Sequence, residues 1–300
     1  MKTNPLHRAL LAIALLLGAC DKDAPTKPVL PSVGSGFVFF SDIRNLGLSE
    51  IYSMGSDGSG IVRLTSDSLD DREPQWSPDG KKIAYIHAYS AGGYEPNVTV
   101  MDANGANPLR LINDSGDVNP SWSPDGSKIA FQRHTGLFPR DQLWIVNVDG
   151  TSPTLVIDSL VVHEISWTPM DNFIGADGLG IVQFNTDGTG QTRILSLAPG
   201  TVHGLHPRMS PDGARIVFQW GGPTASESEI YVVNGDGTNL QRLTNVSGEK
   251  GHPVWSSDGT KIAFTSGQDN SLAIWVMNPD GSNQVRVSPP PAGDLLGDWR

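Results

Sequence analysis

A single cysteine, Cys20, stands in this chain of 300 residues, so no internal disulfide can staple the fold and its stability must come from packing. Cations are scarce as well. The 21 Lys and Arg face 32 Asp and Glu, for a formal net charge of −11, and a body of that sign repels phosphate backbones, which argues against a nucleic-acid partner. Runs of helix-favouring Ala, Leu, Glu and Lys are rare after the first 20 residues, whereas Gly (34) and Pro (22) are plentiful. That balance points to many short strands joined by tight turns. Catalytic signatures are missing: the chain has no GxSxG elbow, no HExxH and no phosphate-binding Gly-rich loop, so an enzyme is the less expected reading. What is present in sufficient amount is apolar side chain, 38% of the residues, enough to bury the core of a domain this size.

The first residues read as an address. Lys2 and Arg8 precede the apolar run of residues 9–17, ALLAIALLL, and Gly18 and Ala19 follow it. This is the layout of a secretory signal, and the run is too short to span a bilayer. The string LGAC, ending at Cys20, resembles a bacterial lipoprotein box. That resemblance implies a signal peptide over 1–19, cleavage before Cys20, and lipid on the Cys20 thiol as a membrane anchor. An ordinary signal peptide that happens to end in cysteine is the simpler alternative. Residues 20–36 continue as a flexible tether with Pro25, Pro28 and Pro31 and no apolar periodicity.

From residue 37 onward the sequence repeats itself. WSPDG occurs at Trp76 and Trp122, WSSDG at Trp255, MSPDG at Met209 and the looser WTPMDN at Trp167, with spacings of 46, 45, 42 and 46 residues. Each is followed by a β-branched or aromatic run such as KIAF, then by a second run ending in an Asx-Gly turn such as IYVVNGDG, then by a third such as QRLT. Four short strands about every 45 residues form a unit that buries its faces only against neighbouring units. The SPDG string has a turn mechanism: Pro presets φ, and Gly accepts the positive φ that follows. The stretch 37–64 supplies the last three strands of a unit that lacks its first, and the segment ending at Trp299 supplies a first strand with nothing after it. The expectation is therefore an all-β, six-bladed β-propeller over residues 37–300, each blade of four antiparallel strands, closed by pairing the C-terminal strand with the N-terminal blade.

WSPDG, KIAF, IYVVNGDG and QRLT resemble the WD-like propeller repeat of the TolB family. The resemblance implies a propeller of the cell envelope that binds proteins or peptides. The family's namesake carries an N-terminal α/β domain before its propeller, and here the tether alone precedes Phe37, so a propeller without that domain is expected.

In such a ring the first strand of each blade lines a central channel, and the connector loops share one face. His163, His206 and His252 lie one repeat apart, and Glu73, Asn119 and Glu164 fall three residues before their tryptophans, as His206 and His252 do relative to Met209 and Trp255. Imidazoles and carboxylates converging on the channel mouth would suit a divalent metal. The bland alternative is that the HP pairs at 206 and 252 simply begin the first strand of their blades. Tyr89, Tyr94, Phe138 and Trp220 fall in or beside loops of the same face, where aromatics either anchor a partner or pack onto the blade rim. The NxDGT strings are turn chemistry, since they lack the closing acid of a calcium loop.

These observations favour a binding or scaffold lipoprotein, monomeric, exported to the periplasmic or cell-surface side, with an envelope protein or peptide as partner, the membrane reached through Cys20, and no cofactor. The alternative is a metal-dependent, polysaccharide-active, lyase-like enzyme using His163, His206 and His252.

Overall fold

The computed structural model describes residues 36–300 apart from 42–43, 45–47, 90–94, 115, 136–140, 198–204, 222–227 and 291–292. Cys20 and the tether, Tyr94 and Phe138 thus lie outside the described residues, as does the side chain of Tyr89, whose backbone pairs with Glu95 at the end of its strand.

Six four-stranded antiparallel sheets are arranged as blades, with strands named a to d from the channel outward. Strand a of blades 2 to 6 is Asp70–Trp76, Asp117–Trp122, His163–Trp167, Arg208–Met209 and Lys250–Trp255. Blade 1 takes strand a from the far end of the chain: Asp294–Trp299 pairs with Phe37–Ser41, and Glu50–Met54 and Val62–Arg63 complete the sheet. Closure therefore follows the pattern in the sequence, and no innermost edge is left to template aggregation.

The SPDG strings build the a-to-b hairpins by local hydrogen bonding. In blade 2 the Gly80 N–H donates to Ser77 O at 2.9 Å, and the Lys81 N–H donates to Asp79 Oδ1 at 3.1 Å. Gly80 takes the required positive φ of 72°. The Lys81 N–H, the Ser77 hydroxyl and the Lys81 ammonium, all held on this carboxylate, push the Asp79 pKa down to about 2. The NxDGT turns work alike: Asp149 accepts from the Thr151 N–H and hydroxyl, and Asn147 donates to the Thr151 hydroxyl.

Core packing lies between blades rather than within them, as six apolar clusters. Trp76, Trp122 and Trp255 are buried, and they also fasten their blade to the one before it, whereas the part-buried Trp167 indole donates to Asp171 of its own turn. The Trp76 indole donates to Gly36 O at 3.2 Å, Trp122 to Gln75 O at 3.1 Å and Trp255 to Arg208 O at 3.2 Å. Each bond satisfies a buried donor that would otherwise cost about 1–3 kcal/mol. Conserving the motif from blade to blade is thus a packing requirement, and the tryptophans themselves say nothing about a ligand.

Candidate functional site: the channel mouth

Strand a carries a bulge in most blades. Two residues oppose one on strand b between Arg72 and Gln75, Val118 and Ser121, His163 and Ser166, and Gly251 and Val254. At these bulges, and at the matching place in blade 5, a non-glycine residue adopts left-handed backbone: Glu73 (φ 53°), Asn119 (53°), Glu164 (55°), His206 (40°) and His252 (50°). Such backbone costs a Glu or His on the order of 1 kcal/mol or more. The bulge re-aims the side chain, and all five line one cavity of about 210 Å³ at the connector end of the channel.

Much of this ring is structural. Glu73 Oε2 accepts from the Asn119 N–H at 2.7 Å, and Glu164 Oε2 accepts from the His206 N–H. Each carboxylate thereby caps the bulge of the following blade. The Asn119 amide donates to Gln132 Oε1 at 3.2 Å, and Gln132 also accepts from the Ile165 N–H at 3.3 Å. In blade 1, next to Glu73's blade, Asp298 accepts from the Trp76 N–H at 3.0 Å and the Trp299 N–H at 2.9 Å.

The remaining groups are a stacked imidazole pair and a cation. The rings of His206 and His252 lie 4.4 Å apart at 35°, and His206 Nε2 is 3.5 Å from Glu164 Oε1. Burial, with Arg208 nearby, pushes the His206 pKa down to about 3; burial and the adjacent His206 do the same for His252. Both are neutral at physiological pH. Desolvation raises Glu73 and Glu164, and raises Asp298 to about 6. Arg208 lies among these three carboxylates and feels each of them. It borders both the mouth cavity and a second cavity of about 380 Å³ that opens among the tryptophans of the opposite face. Among the described residues its guanidinium has no hydrogen-bond or ion-pair partner, although it carries five donors.

Of the residues singled out from sequence, Glu73, Asn119, Glu164, His206 and His252 therefore come together. His163 does not join them. It stands one residue before the bulge position, so strand alternation sends it elsewhere, and its Nδ1 lies 3.5 Å from Asp141 Oδ2, beside His134. Trp220 packs half-buried against Tyr231, ring centroids 4.9 Å apart, on the rim of blade 5. Three metal-ligating atoms within 4.8 Å of one another occur among the described residues at Asp67, Asp71 and His87, outside the channel. The channel donors do not form such a set. Arg208 and Asp298 escaped sequence reasoning, although both occupy the position just before the motif's first residue, where the other blades have Gln75, Ser121, Ser166 and Val254.

The fold and this channel can be set beside known proteins. The sequence pattern of the TolB beta propeller domain matches residues 21–171 and 181–294. The chain belongs to the TolB beta propeller domain family. An uncharacterized protein of Agrobacterium fabrum is 27% identical over 252 residues, covering 78% of this chain and 80% of its own. Dipeptidyl-peptidase 5 of Porphyromonas endodontalis is 27% identical over 89 residues, 28% of this chain, and the match spans only 13% of that relative's length. Among solved structures, TolB from Acinetobacter baumannii superposes with a TM-score of 0.71 at 18% identity, over 90% of this chain and 68% of that one. An oligogalacturonate lyase in complex with manganese superposes with a TM-score of 0.58 at 15% identity, over 87% of this chain and 76% of its own. At these identities the structural likeness establishes the TolB-type propeller fold and leaves activity to the site.

Proposed function

We propose that this TolB-type propeller is a cell-envelope lipoprotein, exported to the periplasmic or cell-surface side and held there by lipid on Cys20, that uses its channel mouth to bind a segment of a protein or peptide partner. The size of the mouth carries the reading. About 210 Å³ is below the roughly 300–1,000 Å³ of a typical small-molecule pocket, and it suits one or two side chains of a protruding segment better than several sugar units. The lining supplies specificity for such a segment: neutral imidazoles, carboxylates and the Arg208 donors, which find no acceptor among the described residues. The lyase-like alternative needs a three-ligand metal set in the channel, and the mouth cavity is lined by His206 and His252 without His163, whose Nδ1 lies 3.5 Å from Asp141 Oδ2.

A photo-reactive residue in place of Asn119, compared with one in place of the exposed Ser127 on the opposite face, tests this in intact envelopes. A discrete adduct is expected from position 119 only, and it should disappear when Arg208→Gln is added. Equal labelling from both positions, or manganese-dependent cleavage of oligogalacturonide by the purified protein, would overturn the reading.

A further inference from the structure

Comparing the blades with one another exposes a site away from the channel. Five residues before the tryptophan of strand a, blades 1, 2 and 3 carry Asp294, Asp71 and Asp117, and all three side chains have no solvent exposure. A buried carboxylate demands a counter-charge. In blade 1 Arg44 supplies it with two contacts to Asp294, each of 2.6 Å. In blade 3 Arg133 supplies it, with Nε 2.7 Å from Asp117 Oδ1 and Nη1 2.7 Å from Asp114 Oδ2, so one guanidinium spans two acids.

Blade 2 has the two acids without the guanidinium. The strand register aligns Asp71 with His87 as it aligns Asp117 with Arg133, and Asp67 takes the part of Asp114. A single ring nitrogen, His87 Nδ1, lies 2.6 Å from Asp71 Oδ1 and 3.9 Å from Asp67 Oδ2. The other oxygen of Asp71 is buried with no hydrogen-bond partner. Asp117 also has an unpartnered oxygen, as Arg133 Nη2 lacks a partner, but there a permanently charged guanidinium is held on the same carboxylate, Nε 2.7 Å from Oδ1. An imidazole brings no second donor to one carboxylate. Blade 2 thus has two carboxylates, one of them fully buried, where one nitrogen does the work of a five-donor cation.

We propose that Asp67, Asp71 and His87 bind a divalent cation of the manganese or zinc type, which fills in blade 2 the place the Arg133 guanidinium fills in blade 3. One atom from each residue lies within 4.8 Å of the others, close enough to converge on one ion. Two carboxylate oxygens and one imidazole nitrogen form the mixed donor set that such ions favour. The charges of the ion and the two acids cancel. His87 would ligate through Nδ1, with its proton on Nε2. Asp67 is half-exposed, so the ion keeps positions open to water or to an acidic group of a partner.

The test uses the full chain after chelator treatment, titrated with Co²⁺ followed by visible absorption and with Mn²⁺ followed by electron paramagnetic resonance. Wild type should take up one equivalent and its Tm should rise with metal concentration. Asp67→Asn, at a half-exposed position that leaves the fold intact, should weaken binding at least about tenfold, or roughly 1.4 kcal/mol. His87→Arg writes the blade 3 arrangement into blade 2, and it should abolish uptake while leaving a metal-free protein at least as stable as wild type. Failure of wild type to bind either ion, or uptake unchanged in both variants, would overturn the proposal.

Discussion

Replacing His206 and His252 together by asparagine should change the direction in which stability responds to acid. Asparagine suits both positions, because it tolerates left-handed backbone and because Asn119 occupies the equivalent bulge of blade 3 at φ 53°. In the folded channel both imidazoles have pKa values of about 3, against an ordinary value of about 6.5 in the unfolded chain. A folded pKa below the unfolded one means that each ring takes up its proton only on unfolding, so stability is lost as pH falls from about 6.5 towards 3. Between pH 7 and pH 5 that amounts to about 2 kcal/mol per ring and about 4 kcal/mol for the pair. Asp298 works in the opposite sense. Its folded pKa of about 6 lies above the ordinary carboxylate value, so it returns about 1 kcal/mol over the same interval, and the raised Glu73 and Glu164 add to that offset.

Wild type should therefore be less stable at pH 5 than at pH 7, and the double variant should be as stable at pH 5 or more so. Urea unfolding followed by tryptophan fluorescence at the two pH values measures this directly. The informative quantity is the difference between the two proteins' pH responses, expected near 4 kcal/mol, because the contributions of titrating groups away from the two imidazoles cancel in it. Parallel responses would refute the view that the imidazoles are held neutral beside Arg208 and Glu164.

Three further perturbations test other links. Deleting residues 294–300 removes strand a of blade 1, uncovers Phe37 and Phe39 and takes away the Asp298 cap on Trp76; aggregation or non-cooperative melting is expected, and an unchanged Tm would mean the ring closes some other way. Gly297→Ala places a Cβ 2.2 Å from Pro74 O and 2.6 Å from Pro74 Cγ, an overpacking of about 1–3 kcal/mol that should lower Tm by roughly 3–10 °C, measured by calorimetry. Cys20→Ser should abolish incorporation of labelled palmitate in cells, and label persisting in the variant would remove the lipid anchor from the proposed function.

The propeller was legible because its signals are local and repeated. Trp76, Trp122 and Trp255 recur with their SPDG-type turns, and the turn residues act through their own backbone, with no reference to the rest of the fold. The site was legible only in part, and the limit has a definite physical form. Reading the residue three before each tryptophan brought out Glu73, Asn119, Glu164, His206 and His252, because the spacing of the repeat survives the bulge. The near one-repeat spacing of His163 from His206 placed His163 with them, one residue out of step. In a strand that single step reverses the face, and the structure puts His163 beside Asp141 instead.

A repeat protein thereby separates its two kinds of information by column. Where a position holds the same residue type in every blade, as the tryptophans nearly do, the ring demands it, and each indole N–H that reaches the preceding blade states the reason. Where one blade departs from its neighbours, the ring gives no reason, and the departure must answer to something else. Arg208 stands in a column otherwise filled by Gln75, Ser121, Ser166, Val254 and Asp298, and its guanidinium donors find no acceptor among the described residues. His87 stands where Arg133 would be expected, and it leaves an oxygen of Asp71 without a partner. Both departures are visible in an aligned repeat, but each acquires chemical meaning only once the neighbours it fails to satisfy are known. Those neighbours lie 16 residues from His87 in sequence and as far away as another blade from Arg208, which is why the sequence could mark these positions and only the folded ring could say what they lack.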